Sequence, residues 1–439
     1  MKRRGFSRDV AGEINAALSL RAFGKRRARL RPIYNSRLSQ LMHILHVIGA
    51  RPNFMKAAPV LRALRNHSDI RQTLVHTGQH YDAAMSDVFF QQLGMPDPDC
   101  NLGVGSGTHA QQTSAVMQAF EPVLQERKPD VVLVYGDVNS TLAAALVCSK
   151  LGVRVGHVEA GLRSHDRSMP EEINRLLTDQ LSDLLFTPSA DGDENLLHEG
   201  IESSRIHRVG NVMIDSLASL LPSADQYFPA DVTPPYALVT LHRPSNVDGL
   251  PWLSDLLLTL SELSAQIGVL FPVHPRTRQR LKEVEPSTAP VATGASLACP
   301  ERSRRVKRSE ASANATDYKP ACAQMSANSR LRMLDPLPYL EFIALQRRAT
   351  VVITDSGGIQ EETSFLGVPC LTVRENTERP ITITMGTNQL VGRDLKKLRV
   401  AVERILTSNA EGLKQTTTAK IPLWDGRAAE RISQIIVNR

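Results

Sequence analysis

Val351-Val352-Ile353-Thr354-Asp355-Ser356-Gly357-Gly358-Ile359-Gln360-Glu361-Glu362 begins as a β-branched run, turns on a glycine pair and continues as a helix. A strand that ends at Thr354 and feeds a helix through Gly357-Gly358 lets backbone N–H groups approach a diphosphate. The helix N-terminus then favours its negative charge. Ser356 adds a hydroxyl donor, and Glu362, one turn in, is placed to accept hydrogen bonds from ribose hydroxyls. Read without a ligand, Glu361 and Glu362 are ordinary first-turn helix acids.

The same strand–turn–helix grammar extends outward in both directions. Upstream, short β-rich runs at 43–48, 72–76, 130–135 and 154–158 alternate with helical patterns through Leu61 and Leu64 and at 83–93 and 141–151. A second series runs through 236–241, 269–273, 331–334 and 351–354. Alternation of this kind predicts an α/β fold of two doubly wound, Rossmann-like domains facing across a cleft. The expected domains are 42–211 and 212–439, with the crossing around 210–223 and a closing helix over 427–437. In such a pair the ligand sits at the carboxyl ends of the strands.

Two stretches break this grammar. Residues 1–41 carry eleven Lys/Arg against two acids, a net +9 against +7 for all 439 residues, so the body of the chain is slightly acidic. Residues 286–330, rich in Ala, Ser, Pro and Arg, carry seven Lys/Arg against three acids. Both read as disordered, the first as an N-terminal extension and the second as an insertion. Positive charge confined to such segments, without interleaved aromatics, does not predict nucleic-acid binding. No apolar run is long enough for a membrane span. The five cysteines (Cys100, Cys148, Cys299, Cys322, Cys370) are scattered without a CxxC pair. That distribution predicts a reducing cytoplasm and neither disulfides nor a metal site. No GxGxxG opens the first strand–helix turn and no Walker motif is present, so no nicotinamide or ATP cofactor is expected.

Candidate acid–base groups cluster at strand ends. Asp137 follows the 130–135 run, Glu159 follows 154–158, Glu171 opens a helix after Pro170, and His242 ends the first strand of the second half. Carboxylates converging on one cleft push each other's pKa apart, which separates an acid from a base. Arg51 and Lys56 follow the first strand, where paired cations neutralise a diphosphate leaving group. Singly, each of these residues also reads as a solvated surface charge, a first-turn helix acid or a satisfied histidine.

Taken in order, Gly49-Ala50-Arg51-Pro52 with Lys56, Gly78-Gln79-His80, Gly136-Asp137, the 157–163 run His-Val-Glu-Ala-Gly-Leu-Arg, Pro170 to Arg175, His242-Arg243-Pro244, Pro272-Val273-His274, Asp355 to Glu362 and Thr377-Glu378-Arg379-Pro380 form a specific set. From about Met42 onward, outside the insertion, the chain resembles the non-hydrolysing UDP-N-acetylglucosamine 2-epimerases, which have the GT-B fold. The resemblance implies C2 epimerisation to UDP-N-acetylmannosamine by elimination and re-addition of UDP, in a homodimer. It implies that Asp137, Glu159 and Glu171 share the proton transfers, while His242, Arg51 and Lys56 stabilise departing UDP. Ser356, Gly357 and Gly358 would hold the phosphates, Glu362 the ribose and Phe342 the uracil, with His274 and Arg379 as further substrate contacts. Gln79 and His80 match a region that binds an activating second substrate molecule. Asn53 departs from the family's usual Glu, and Met169 from an aromatic residue.

Three other readings remain open at this point. A GT-B glycosyltransferase explains the 355–362 motif but not the three carboxylates with Arg51 and Lys56. A hydrolysing epimerase would release N-acetylmannosamine, and an inactive UDP-sugar binder would keep the nucleotide site alone.

Overall fold

The computed structural model describes residues 41–79, 90–284, 330–411 and 420–438. The expected extension up to Gln40, His80, and residues 286–329 of the expected insertion lie outside the described residues. Of the helix expected over 83–93, residues 90–93 are described and are helical.

The first sheet contains β1 (Met42–Ile48), β2 (Ile70–His76), β3 (Cys100–Asn101), β4 (Val131–Tyr135), β5 (Arg154–Val158), β6 (Leu184–Thr187) and β7 (Ile206–Arg208). Their spatial order is β3-β2-β1-β4-β5-β6-β7. The second contains β8 (Tyr236–Thr240), β9 (Gly268–Pro272), β10 (Leu331–Leu334), β11 (Val351–Thr354), β12 (Cys370–Thr372) and β13 (Asn388–Leu390), in the order β10-β9-β8-β11-β12-β13. The ladders run parallel: Val47 lies between Val75 and Val134, and Thr354 between Thr240 and Thr372. Parallel strands covered on both faces read as unbroken apolar runs, and β4 (Val-Val-Leu-Val-Tyr) and β11 (Val-Val-Ile-Thr) are buried at every position. Ladder pairing ends at Thr240 and Pro272, one residue short of the predicted strands, because Leu241 and Val273 already peel away towards the cleft while staying buried.

Both sheets reverse direction at their centre, between β1 and β4 and between β8 and β11. Those reversals open a crevice at the carboxyl ends of the strands, where chain connections diverge to opposite faces. The segments leaving these four strands are Gly49 to Lys56, Gly136-Asp137, His242-Arg243 and Asp355 to Glu362.

The helix Val212–Ala224 joins the two halves. Asn211 caps it by accepting from the Met213 N–H at 2.9 Å, and it packs on the helices Arg51–Leu64, Tyr339–Arg348 and Gly357–Leu366. One apolar cluster accordingly runs through both domains, from Phe54 and Leu61 through Leu217 to Leu340 and Ile343. The closing helix, predicted within the 212–439 span, returns across the junction: Ala428–Val437 packs on Arg51–Leu64. Its buried N-terminal donors, which have no partner within the helix, are met by Asp215, which accepts from the Ala428 and Ala429 N–H groups at 3.1 and 2.7 Å. Trp424 adds a bond from its indole N–H to the Pro188 carbonyl at 2.9 Å. Among the described residues no helix is long and apolar enough to cross a membrane.

Candidate active site

Each functional side chain of the first domain emerges from a turn that depends on glycine or on a buried polar anchor. After β1, a Cβ on Gly49 would lie 2.3 Å from the Ser140 Oγ, so a side chain there has no room. Asn53, 1% exposed, secures this turn: its Oδ1 accepts from the Gly49 and Ala50 N–H groups (3.0 and 3.1 Å), and its Nδ2 donates to the Tyr135 carbonyl at 2.6 Å. The asparagine that departs from the family pattern thus ties β1's exit to β4's end. One turn further along the helix, Lys56 is buried and its ammonium meets Glu159.

Gly136 follows β4 with φ of +61°, and a Cβ there would come within 2.5 Å of the Lys56 Nζ and 3.1 Å of the Glu159 Oε2. Glycine therefore serves twice, allowing the left-handed backbone and leaving space for the ion pair. Glu159 itself holds φ of +74°, a strained conformation for a residue with a side chain. Both its N–H and that of Ala160 donate to the Phe186 carbonyl (3.1 and 3.0 Å). Behind this turn His157 places Nδ1 at 2.6 Å from the Asp179 Oδ1 and Nε2 at 2.8 Å from the Gly136 carbonyl, and Asp179 also holds Arg163 at 2.7 Å.

Asp137 faces Arg175 as an ion pair, with about a quarter of its side chain exposed. Glu171 is exposed in the first turn of Pro170–Leu181. Its neighbour Glu172 is buried and accepts from the Ser164 and His165 N–H groups (3.0 and 2.9 Å) and from Arg175. The two adjacent acids differ: Glu172 shapes the loop, and Glu171 is left accessible to solvent.

In the second domain Asp355, fully buried at the end of β11, accepts from the Arg243 N–H at 2.9 Å and the Asn246 Nδ2 at 3.0 Å. It also lies 3.0 Å from the His242 Nδ1. Burial opposes the charge on Asp355, but its bond to His242 and the charge there, with the Arg243 N–H and Asn246, keep its carboxyl below the usual range. Asp355 thereby orients the His242 ring, which lies 5.7 Å from that of His274. Burial, then the charges of His242 and Arg276, lower His274.

The glycine pair admits Arg379. A Cβ on Gly357 would sit 2.4 Å from its NH1. Arg379 bonds Glu361 through Nε at 2.6 Å, Glu378 through NH1 at 2.8 Å and, across the cleft, Glu159 through NH2 at 3.3 Å. Glu362 accepts from the Tyr339 hydroxyl at 2.6 Å. Both glutamates are pushed up to about 7. At Glu361 burial leads, Arg379 opposes it and Glu159 reinforces it; at Glu362 burial again leads, against the hydrogen bond from Tyr339. A cavity of about 220 Å³ lies between the halves, walled by Arg51, Lys56 and Glu159 on one side and by Tyr339, Ser356, Gly358, Glu361, Glu362 and Arg379 on the other.

Of the residues singled out in the sequence, Arg51, Lys56, Glu159, Ser356, Gly358, Glu362 and Arg379 share this cavity. Phe342 is half-buried and packs against the second domain's core cluster around Tyr236, Leu238 and Leu345, while Tyr339, one turn earlier, lines the cavity. Gln79 is buried, its Oε1 accepting from the Ser140 N–H and hydroxyl (3.2 and 2.7 Å), so its amide supports the first domain from inside. Glu361, Tyr339, Asp355 and Arg175 complete the arrangement without having been singled out. Helical periodicity marks Tyr339 and Phe342 alike, and only the twist of the helix against its neighbours selects between them. Among the described residues no group of three or more His, Cys, Asp or Glu could hold a metal ion.

Comparison with known proteins agrees with this geometry. The family model described as UDP-N-acetylglucosamine 2-epimerase matches residues 62–437. A UDP-N-acetylglucosamine 2-epimerase of Methanocaldococcus jannaschii is 39% identical over 404 residues, covering 90% of this chain and 99% of the relative. A UDP-2,3-diacetamido-2,3-dideoxy-D-glucuronate 2-epimerase of Pseudomonas aeruginosa is 38% identical, covering 90% and 99%. The crystal structure of the M. jannaschii enzyme in complex with UDP-GlcNAc and UDP superposes with a TM-score of 0.74 at 38% identity, covering 91% of this chain and all of that one. That of Neisseria meningitidis UDP-GlcNAc 2-epimerase bound to UDP-GlcNAc gives 0.75 at 28% identity, with coverages of 91% and 100%.

Proposed function

Because the chain belongs to the UDP-N-acetylglucosamine 2-epimerase family, we propose that it inverts C2 of UDP-N-acetylglucosamine by eliminating and re-adding UDP, without hydrolysis. The hydrogen on C2 has no adjacent carbonyl and is barely acidic, so its removal is coupled to departure of UDP from C1. A carboxylate takes the C2 proton, the C–H electron pair becomes the C1=C2 double bond, and the C1–O pair leaves with UDP. The resulting 2-acetamidoglucal and UDP stay in the closed cleft. Protonation of C2 from the opposite face and return of UDP to C1 give UDP-N-acetylmannosamine.

Asp137, Glu159 and Glu171 are proposed to share the proton transfers, and His242, Arg51 and Lys56 to offset charge on departing UDP. The diphosphate is assigned to Ser356, Gly357 and Gly358 at the start of the helix Gly357–Leu366, of which Ser356 and Gly358 line the cavity, and the ribose to Glu362. His274 and Arg379 are kept as substrate contacts. A cytoplasmic homodimer is the proposed setting. The observation that carries this reading is the meeting of Glu159 with Arg379 at 3.3 Å, beside the glycine turn of the other domain. A sugar linked to a diphosphate held at that turn would present C1 and C2 to the acids of the first domain. The similarity to the diacetamido-glucuronate enzyme makes that sugar nucleotide the second substrate to test.

Incubation with UDP-N-acetylglucosamine in heavy water, followed by NMR, tests the proposal. Deuterium at C2 together with UDP-N-acetylmannosamine is expected; free N-acetylmannosamine would replace it with a hydrolytic reaction. Asp137→Asn should slow C2 exchange by about 10²-fold or more. UDP affinity should stay within about twofold, since Arg175 keeps its partner Glu172 and the charge lost is modestly buried. Wild-type exchange in that variant would remove Asp137 from the chemistry.

A further inference from the structure

Glu361 and Glu362 stand side by side on the cavity wall, 1% and 2% exposed, and each has one oxygen satisfied and one not. In Glu361 the Oε1 takes the Arg379 Nε–H, and in Glu362 the Oε1 takes the Tyr339 hydroxyl. The Oε2 of each is buried without a hydrogen-bond partner. A buried carboxylate oxygen left this way is costly, and a donor in the cavity or a proton of its own relieves it. Ribose hydroxyls serve Glu362 as donors. No equivalent donor exists on a diphosphate, whose non-bridging oxygens only accept.

Charge surrounding Glu361 leads the same way. Arg379 and, across the cleft, Lys56 face it as cations; Glu159 from the first domain, Glu362 on its own helix and Glu378 beside Arg379 face it as anions. A diphosphate placed at Ser356 and Gly358 adds two negative charges to this wall, while Arg379 is already divided among three carboxylates. The group best able to change charge in response is a buried carboxyl already pushed up to about 7 by burial.

Resting on the UDP-sugar reading above, we propose that Glu361 takes up a proton when the nucleotide binds and donates a hydrogen bond from Oε2 to a non-bridging phosphate oxygen. Glu361 is then a binding residue for the diphosphate, and affinity is linked to proton uptake. As pH rises past neutrality, less protonated Glu361 is available and binding weakens.

Calorimetric titration of the full chain with UDP-N-acetylglucosamine, in buffers of different ionisation enthalpy, reads the uptake. Both phosphates of this probe are diesters that do not titrate near neutrality, and its epimerisation exchanges no net proton. Net uptake of somewhat under half a proton per site is expected at pH 8, where Glu362 is already almost wholly ionised, and the dissociation constant should rise about threefold from pH 7 to pH 8.5. Glu361→Gln, neutral and still a donor, should bind with no uptake, with only a small release from Glu362 near pH 7 as it accepts the ribose hydroxyls, and its affinity should not weaken as pH rises across that range. Binding without uptake in the wild type, or uptake that survives Glu361→Gln, overturns the proposal. If Glu361→Gln does not fold, Glu362→Gln decides the same point: uptake retained supports Glu361, and uptake lost assigns the proton to Glu362. Failure of the wild type to bind the probe would instead remove the nucleotide site itself.

Discussion

Lys56→Met keeps a long unbranched side chain in the first helix while deleting the charge that faces Glu159. Both partners are almost fully enclosed, with side chains 6% and 3% exposed, so water cannot replace the lost ammonium. Removing one member of a buried ion pair costs about 3–5 kcal/mol, because the remaining charge stays desolvated. Arg379, at 3.3 Å from the other Glu159 oxygen, retains part of the compensation, which brings the expectation to about 2–4 kcal/mol. Glu159→Gln in the Lys56→Met background removes the stranded charge and should recover at least about 2 kcal/mol of that loss as a coupling energy. Urea unfolding followed by tryptophan fluorescence measures this directly, since Trp424 is buried at the junction with the first domain. Single variants that each change stability by less than about 1 kcal/mol, with an additive double variant, would refute the reasoning. Glu159 would then not depend on Lys56 for its place in the cleft.

Two further outcomes follow from the same geometry. Gly161, with φ of +82°, would place a Cβ 2.4 Å from the Gly192 carbonyl oxygen, whereas Gly200, with φ of +80°, has nothing within 4 Å. Gly200→Ala should therefore lose only about 1–2 kcal/mol of backbone strain, and Gly161→Ala clearly more, in urea unfolding; equal losses would show that the loop after Glu159 gives way freely. The second outcome concerns pH. Glu361 and Glu362 are raised to about 7 when folded, above their unfolded values, so they favour the folded state at low pH and lose that contribution as pH rises through about 7. Buried histidines such as His46, lowered to about 3, act in the opposite sense, and because their unfolded-state titration is only half complete at about pH 6.5 they still add stability above it. Between pH 6.5 and 8 the ligand-free wild type should lose about 1.5 kcal/mol relative to Glu361→Gln/Glu362→Gln, a comparison that cancels the histidine contribution; parallel slopes in the two proteins would assign the loss elsewhere.

Much of the architecture was legible because it is written in short-range patterns. The runs 154–158, 331–334 and 351–354 coincide with β5, β10 and β11. A strand buried on both faces and bounded by turn residues needs no distant information to be recognised. The cleft followed from the βα alternation through the rule that ligands sit at the carboxyl ends of parallel strands. Legibility failed where neighbouring residues of one type compete. Glu361 reads like any first-turn helix acid, yet it is one of three carboxylates on Arg379. Gln79 stands in a motif yet spends its side chain on Ser140. Tyr339, less than a helical turn from Phe342, lines the cavity although sequence pattern does not set the two aromatics apart.

The amino-acid order alone determined the two wound sheets, the glycine turn at 357–358, and the separation of two basic stretches from an acidic remainder. These depend on side-chain period, backbone sterics and composition, which act over a few residues. Tertiary structure decided which charges meet. Glu159 finds Lys56 103 residues away and Arg379 220 residues away, once sheet order and the joining helix Val212–Ala224 have brought the strand ends together. Contacts at such separations carry no local signature, because they form only after long stretches of chain have paid their closure entropy through the packing of both domains.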